Sequence, residues 1–179
     1  MSPLCAPTRH LQAYGSCLRL EWTLGRRVRM DSRGVMVDNL TPAQRSYTMA
    51  RIRNKNTLPE LVIRRSLHKL GLRFRIHDSS LPGCPDLVFR KSRVVVFIDG
   101  DYWHGWRFPR WKKKLAPYWK RKIERNRERD TSNFGKLRRR GWLVIRIWEH
   151  QIERDLEACV RLIVPAVRDR LRQDWGRCR

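Results

Sequence analysis

Acidic residues are scarce in this sequence, which has 17 Asp and Glu against 41 Lys and Arg and a formal charge of +24 over 179 residues. A chain with so large an excess of one sign repels itself, and a polyanion relieves that repulsion. Nucleic acid is therefore the first candidate partner and an anionic membrane surface the second. A structural RNA-binding protein is the simplest alternative.

Metal-spaced cysteines and long apolar runs are also lacking. The five cysteines are odd in number and unpaired in spacing, which is typical of a reducing compartment rather than of a disulfide framework. No stretch approaches the roughly 18 apolar residues of a membrane span, and the Arg-rich start has no apolar signal segment. These absences predict a cytoplasmic protein that does not act at a membrane.

The start of the chain differs from the rest in its patterning. Residues 1–37 have no sustained apolar period, which predicts a disordered basic arm or an extension upstream of the true start, with an ordered lobe as the alternative. Thr41 with Gln44, and Thr57 with Glu60, then form two capping boxes that predict two successive helices.

The period next changes from helical to extended. An apolar run at 94–98 indicates a central strand buried on both faces. Other predicted elements are strands at 72–76, 86–89 and 142–148, a helix at 119–140 and a final helix at 153–164. The order ααβββαβα is typical of an α/β domain with a mixed central sheet flanked by helices. This domain is predicted to span 38–165, and a basic C-terminal tail 166–179.

The few acids at strand ends are the candidate chemical groups. Asp86 opens one predicted strand and Asp99 closes the next, so both fall at the same edge of the sheet, with Asp101 and His104 following. Hard cations such as Mg²⁺ prefer carboxylate and carbonyl oxygens. Such a cation assists phosphodiester hydrolysis, and a nearby histidine can move the proton. The arrangement predicts metal-assisted cleavage of a nucleic acid backbone.

Each of these residues also has an ordinary structural interpretation. Asp86 can cap a turn after Pro85, Asp99 can form a salt bridge with an arginine, and His104 can be a surface residue. Tryptophans interleaved with cations can stack against bases or pack as core residues. These tryptophans are Trp103, Trp106, Trp111 and Trp119.

The sequence resembles the very short patch repair (Vsr) endonucleases. The shared motifs occur in the same order at 45–52, 57–61, 81–86, 95–105, 126–130, 137, 141–142 and 147–149. The resemblance implies a type II restriction endonuclease-like core. It also implies a Mg²⁺-dependent enzyme that nicks DNA 5′ of the thymine in a T·G mismatch, which arises when 5-methylcytosine deaminates.

The resemblance also implies roles for particular residues. Asp86 would bind the metal together with the main-chain carbonyl of Ile98. Asp99 would join the same metal centre, although the family often has histidine there, and His104 would be the catalytic base. Further acidic members of the active centre would be Glu60 and Asp130. Residues that wedge into the duplex would be Tyr102 and Trp103 from one groove, and Met49 and Ile52 from the other.

This sequence departs from the family at a zinc site. The positions that usually hold zinc ligands are Asp101, Trp106, Phe108 and His150. Two of them, Asp101 and His150, keep a ligating side chain, and two ligands cannot close a tetrahedral site. No structural zinc is therefore expected.

The resemblance also implies the partners, the oligomeric state and the cellular location of the protein. The expected partner is double-stranded DNA with a mismatch, and other mismatch-repair proteins are candidate partners. The expected state is a monomer in a bacterial cytoplasm, associated with the nucleoid. The alternatives are a related DNA endonuclease of different specificity and a non-catalytic nucleic-acid-binding protein.

Overall fold

The computed structural model describes residues 29–30, 36–37, 41–51 and 55–177. Strands β1 (Arg29–Met30) and β2 (Met36–Val37) pair antiparallel. Apart from these four residues, the arm predicted over 1–37 lies outside the described residues. Ile52 lies outside them too, as does the side chain of Met49.

The two capping boxes begin two helices, as predicted. Helix α1 (Pro42–Arg51) follows Thr41, whose N–H donates to Gln44 Oε1 at 3.0 Å while the Gln44 N–H donates to Thr41 Oγ1 at 3.2 Å. Helix α2 (Leu58–Lys69) follows Thr57, whose N–H donates to Glu60 Oε1 at 3.3 Å. These contacts satisfy N–H groups that a helix start leaves without partners.

The centre of the fold is a mixed sheet of four strands in the order β3-β4-β5-β6. The strands are β3 (Arg75–Ile76), β4 (Leu87–Phe89), β5 (Val94–Asp99) and β6 (Leu143–Trp148). β3 and β4 pair antiparallel, β4 and β5 also pair antiparallel, and β5 pairs parallel with β6. The predicted α/β class with a mixed central sheet flanked by helices is confirmed.

Helices complete the domain on both sides of this sheet. Between β5 and β6 lie α3 (Phe108–Trp111), a 3₁₀ turn (Lys112–Lys114) and α4 (Pro117–Arg139). After β6 come α5 (Glu149–Arg154) and α6 (Leu156–Arg177). Among the described helices, even α4 and α6 lack the apolar stretch that a membrane crossing requires.

Side chains alternate along β5 and divide the core into two layers. Val94, Val96 and Ile98 face α2, α5 and α6, where they join a cluster with Ile63 and Ile163. Val95 and Phe97 face the other way and pack with Phe134 and Leu137 of α4. Because successive side chains of a strand point to opposite faces, the next residue, Asp99, is expected on the α4 side.

Two predicted boundaries are wrong. The strand expected at 72–76 is confined to Arg75–Ile76. The final helix does not end at 164, because α6 continues through Pro165 to Arg177 and includes most of the predicted tail. Proline removes a helical hydrogen bond, but buried residues flank it, with Ile163 at 0% and Val167 at 2% exposure. Packing on both sides holds the helix together past the proline.

The docking of α6 can be tested with two neighbouring residues. Ile163→Ala should lower the free energy of unfolding by about 3 kcal/mol, because a buried aliphatic side chain is replaced by a cavity. Leu162→Ala is the control, since Leu162 is 55% exposed, and it should change stability by less than about 0.5 kcal/mol. Urea unfolding measures both. Equal losses would contradict this docking.

Candidate active site at the ends of β4 and β5

Asp86 stands immediately before β4 and beside the end of β5. The register Leu87↔Val96 brings it there, and its Oδ2 accepts the Ile98 N–H at 2.7 Å. Burial raises the pKa of Asp86 to about 7; the Ile98 hydrogen bond opposes this rise, and the Glu60 and Asp99 carboxylates add to it. A desolvated carboxylate in this state is stabilised by a bound cation.

A second cluster lies at the end of β5 and contains Asp99, His104 and Asp130. His104 Nδ1 lies 2.6 Å from Asp130 Oδ2 and 3.5 Å from Asp99 Oδ1. Arg146 on β6 donates from Nε to Asp99 Oδ2 at 2.5 Å and approaches Asp130 Oδ2 at 3.4 Å. The salt bridge offered above as the ordinary interpretation of Asp99 is therefore present. Asp99 also lies beside the histidine.

The surrounding carboxylates favour the protonated form of His104. Burial opposes that form, but the hydrogen bond to Asp130 and the charge of Asp99 outweigh it and raise the pKa of His104. Burial also raises the pKa of Asp99, although His104 and Arg146 counteract this effect. The two groups share one electrostatic environment, so their protonation is coupled.

A third group of side chains surrounds Glu60. Glu60 is 3% exposed and receives a hydrogen bond from NH2 of Arg64, one turn later on α2. The same Arg64 nitrogen lies 2.9 Å from Nε2 of His77, and His77 Nδ1 faces Asp86 Oδ1 at 3.7 Å. Burial lowers the pKa of His77, Arg64 and Lys55 lower it further, and Glu60 opposes them.

The loop that carries His104 is held against α4. Asn126 donates to the Trp103 carbonyl at 3.0 Å and Arg127 to the Gly105 carbonyl at 2.7 Å. Gly105 has a φ of +69°, and a Cβ there would meet Arg127 Cδ at 3.0 Å and Ile123 Cγ2 at 3.0 Å. A residue without a side chain is required at this position.

The predicted wedge pair, Tyr102 and Trp103, is half-buried in an aromatic cluster. The two rings meet edge to face at 5.0 Å, Tyr102 stacks on Trp111 at 5.6 Å, and Trp103 lies 5.8 Å from Trp119. Lys122 lies 5.1 Å from the Trp103 ring. The rings therefore combine core contacts on one side with partial exposure on the other.

The four positions at which the sequence departs from the zinc site of the family it resembles are described by the structure. Asp101 Oδ1 and His150 Nδ1 lie at hydrogen-bond distance, 2.7 Å apart. The Trp106 ring lies 4.7 Å from the His150 ring and 5.0 Å from the Trp148 ring. Phe108 is buried in the aromatic cluster with Ile123. A hydrogen bond and tilted ring contacts thus join the His104 loop to α5.

Sequence reasoning missed Arg64, His77 and Arg146. The β3–β4 register Ile76↔Leu87 places His77 opposite Asp86, a pairing that a predicted hairpin could have suggested. Arg64 stands four residues after Glu60, a spacing typical of helical ion pairs. Arg146 is a charged residue inside the otherwise apolar β6.

The model of the family DNA mismatch endonuclease Vsr matches residues 37–110. The chain is 43% identical over 119 residues to the type II nicking enzyme V.XorIIP of Xanthomonas oryzae pv. oryzae. That alignment covers 65% of this chain and 88% of the relative. It is 38% identical over 140 residues to the type II nicking enzyme V.NmeDIP of Neisseria meningitidis serogroup C. That alignment covers 75% of this chain and 93% of the relative. It is 36% identical over 116 residues to the DNA mismatch endonuclease Vsr of Escherichia coli K12. That alignment covers 64% of this chain and 74% of the relative.

The fold, the acidic strand ends and these relatives together define a DNA endonuclease with a restriction endonuclease-like core. The chain belongs to the Vsr family of DNA mismatch endonucleases. It is therefore a hydrolase that acts on the phosphodiester bonds of DNA.

The donor groups at the site fit a hard divalent cation. Asp86 Oδ2 already accepts the Ile98 N–H, while its Oδ1 has no closer partner among the described contacts than His77 at 3.7 Å. Asp99 differs, because its two oxygens face Arg146 and His104. Oxygen donors and a desolvated carboxylate favour Mg²⁺-like ions at Asp86.

Asp86→Asn should stabilise the metal-free protein at high pH and have little effect at low pH. The folded pKa of Asp86, about 7, lies above its ordinary value of 3.8. The folded protein therefore holds an extra proton between these values and loses stability as the pH rises through them. Asparagine carries no charge and escapes this loss. Urea unfolding of both proteins without metal, from about pH 4 to about pH 8, measures the difference.

Glu157→Gln is the matched control, because the Glu157 side chain is 86% exposed. It should leave the pH dependence unchanged. A stability difference between wild type and Asp86→Asn that stays constant with pH would contradict the assigned environment of Asp86.

Proposed function

We propose that this enzyme nicks one strand of DNA at T·G mismatches, with Mg²⁺, in the very short patch repair of deaminated 5-methylcytosine. The observation that carries the proposal is the His104–Asp130 pair, 2.6 Å apart, at the strand end next to Asp86. A base and a metal-binding carboxylate at one sheet edge are the groups that hydrolysis of a phosphodiester needs.

In this proposal Asp86 and the main-chain carbonyl of Ile98 hold Mg²⁺. When bound, the ion supplies charge that neutralises the phosphate and lowers the pKa of water. Asp130 binds Nδ1 of His104 and fixes the ring. In the neutral imidazole this leaves Nε2 to take the proton of the attacking water, and the same carboxylate stabilises the imidazolium that results. Asp99 is the proposed further member of this metal centre, and its oxygens, which face Arg146 and His104, also act on the histidine.

The cationic face of α4 is the proposed path of the DNA backbone. Tyr118, Lys122, Arg125, Asn126 and Arg129 line a shallow depression there. Lysine and arginine that contact phosphates supply affinity without sequence preference and release counterions. The acids at the sheet edge then meet a phosphate that this surface has brought close. The enzyme is proposed to act as a monomer, with other mismatch-repair proteins as candidate partners.

Tyr102 and Trp103 are the proposed wedge on one side of the mismatch, with Met49 and Ile52 on the other. The half-buried rings are braced by Trp111 and Trp119, so they are held rigidly beside His104. Opening a base step costs a few kcal/mol and costs least at a mispair. Rigid rings therefore favour mismatched over paired steps.

A panel of duplexes tests the reaction. In the presence of Mg²⁺, wild type should nick the T·G strand faster than other mismatches or matched DNA. Asp86→Ala should abolish nicking but retain binding, because affinity comes from the cationic surface. His104→Ala should lose roughly 100-fold or more in rate. Near-wild-type nicking by Asp86→Ala would refute the site, and equal cleavage of all duplexes would favour a related endonuclease of different specificity.

The wedge is tested with Tyr102→Ala/Trp103→Ala. Loss of the rings should weaken binding to T·G duplex much more than binding to matched duplex, which is mainly electrostatic. Trp142→Ala, which removes an indole that packs against the core cluster containing Phe134 and Leu137, controls for lost packing and should keep the preference. Thermal melting establishes that each variant is folded. A folded double variant with undiminished preference for the mismatch would contradict the wedge.

A further inference from the structure

Glu60, His77 and Asp86 resemble a second metal site. One ligand atom from each lies within 4.8 Å of the others. Glu60 lies on α2, His77 follows β3 and Asp86 precedes β4. Because β4 lies between β3 and β5, His77 and His104 are on opposite sides of Asp86. The contacts of each group decide whether a second ion or another function belongs here.

The protein already supplies the cation of this cluster. Glu60 Oε1 accepts from the Thr57 N–H at 3.3 Å and from the Thr57 hydroxyl at 2.9 Å. Glu60 Oε2 accepts from the Asn56 N–H at 3.1 Å and from Arg64 NH2. Arg64 is 7% exposed, and its NH1 donates to Asn56 Oδ1 at 2.6 Å. The Glu60 carboxylate is saturated by donors, so it has no oxygen left for a metal ion.

Arg64 also determines which nitrogen of His77 carries the hydrogen. Nε2 of His77 lies 2.9 Å from Arg64 NH2 and 3.3 Å from Glu60 Oε2. A guanidinium donates and never accepts, so the shorter of these two contacts assigns Nε2 as the acceptor. A neutral imidazole then carries its hydrogen on Nδ1. Nδ1 faces Asp86 Oδ1 at 3.7 Å, too long for a hydrogen bond but close enough for its N–H dipole to act on the carboxylate.

Each of the two oxygens of Asp86 thus has a different polar neighbour. The Ile98 N–H holds Oδ2 at 2.7 Å, and the His77 N–H faces Oδ1. Groups behind a metal ligand that orient it typically change metal affinity when removed, although they do not touch the ion.

We propose that His77 is a positioning residue for Asp86, held by the buried Glu60–Arg64 pair in the form that carries its hydrogen on Nδ1, so that the N–H dipole orients the carboxylate toward the metal. The proposal rests on the function proposed above, since it assigns Asp86 as the metal ligand. It makes His77 a polar neighbour of the Asp86 carboxylate and not a ligand of the ion.

The experiment is calorimetric titration of the full chain, without DNA, with Mg²⁺ and separately with Mn²⁺. His77 has a φ of +47°, so His77→Gly removes the side chain without straining the backbone. His77→Asn places an N–H near the position of Nδ1, and asparagine tolerates this backbone conformation. His68→Ala, at an exposed histidine on α2, is the control, and thermal melting establishes that each variant is folded.

His77→Gly should lower the affinity for Mg²⁺ and for Mn²⁺ by the same factor, roughly tenfold. His77→Asn should recover most of that affinity. A purely structural role would lower the melting temperature and leave the affinity of the folded protein unchanged, which would overturn the proposal. A much larger loss for Mn²⁺ than for Mg²⁺ would also overturn it, because nitrogen ligands favour transition metals and that result would make His77 a ligand.

Asp86→Asn in the same titration separates this proposal from the proposed function. If Asp86→Asn binds metal like wild type, the metal site assigned to Asp86 is wrong. If Asp86→Asn loses the metal while His77→Gly keeps it, the site is right and only the role of His77 fails.

Discussion

The hydrogen bond from the Ile98 N–H to Asp86 joins the start of β4 to the end of β5, and the arrangement of the site depends on it. Asp86 then lies between two groups of side chains, with Glu60 and His77 on one side and Asp99 and His104 on the other. The bond also requires a single strand register, because a slip of one residue would turn Asp99 to the opposite face of the sheet, away from Asp130. The apolar strand β5, buried on both faces, fixes that register.

Charge is distributed very differently at the site and at the surface. The chain carries a net charge of +24, yet its described interior holds three carboxylates, Glu60, Asp99 and Asp130. Arg64 and Arg146 neutralise them locally. A buried ion pair adds little net stability, but loss of one partner leaves an uncompensated charge that costs several kcal/mol. These arginines therefore allow the interior to hold three carboxylates close together.

Local patterns predicted much of this molecule. The capping boxes, the strand at 94–98 and the positions of Asp86 and Asp99 at strand ends all depend on residues close in sequence. Contacts between distant residues were not predictable from such patterns. Asp130 reaches His104 across 26 positions and Arg146 reaches Asp99 across 47. Helix α6 passes Pro165 because of packing against α2, which outweighs the local preference of proline. The resemblance supplied Asp130, which periodicity alone could not have singled out.

Gly105 shows that activity here can be lost without any change to a titratable group. A side chain at this position would press on Ile123 and Arg127 and push the His104 loop away from α4. The cationic surface and Asp86 would remain. In a cell, such an allele would act as more than a simple loss of function. Because DNA binding is proposed to come from the cationic surface, its product would compete with the intact enzyme for the same DNA without cleaving it.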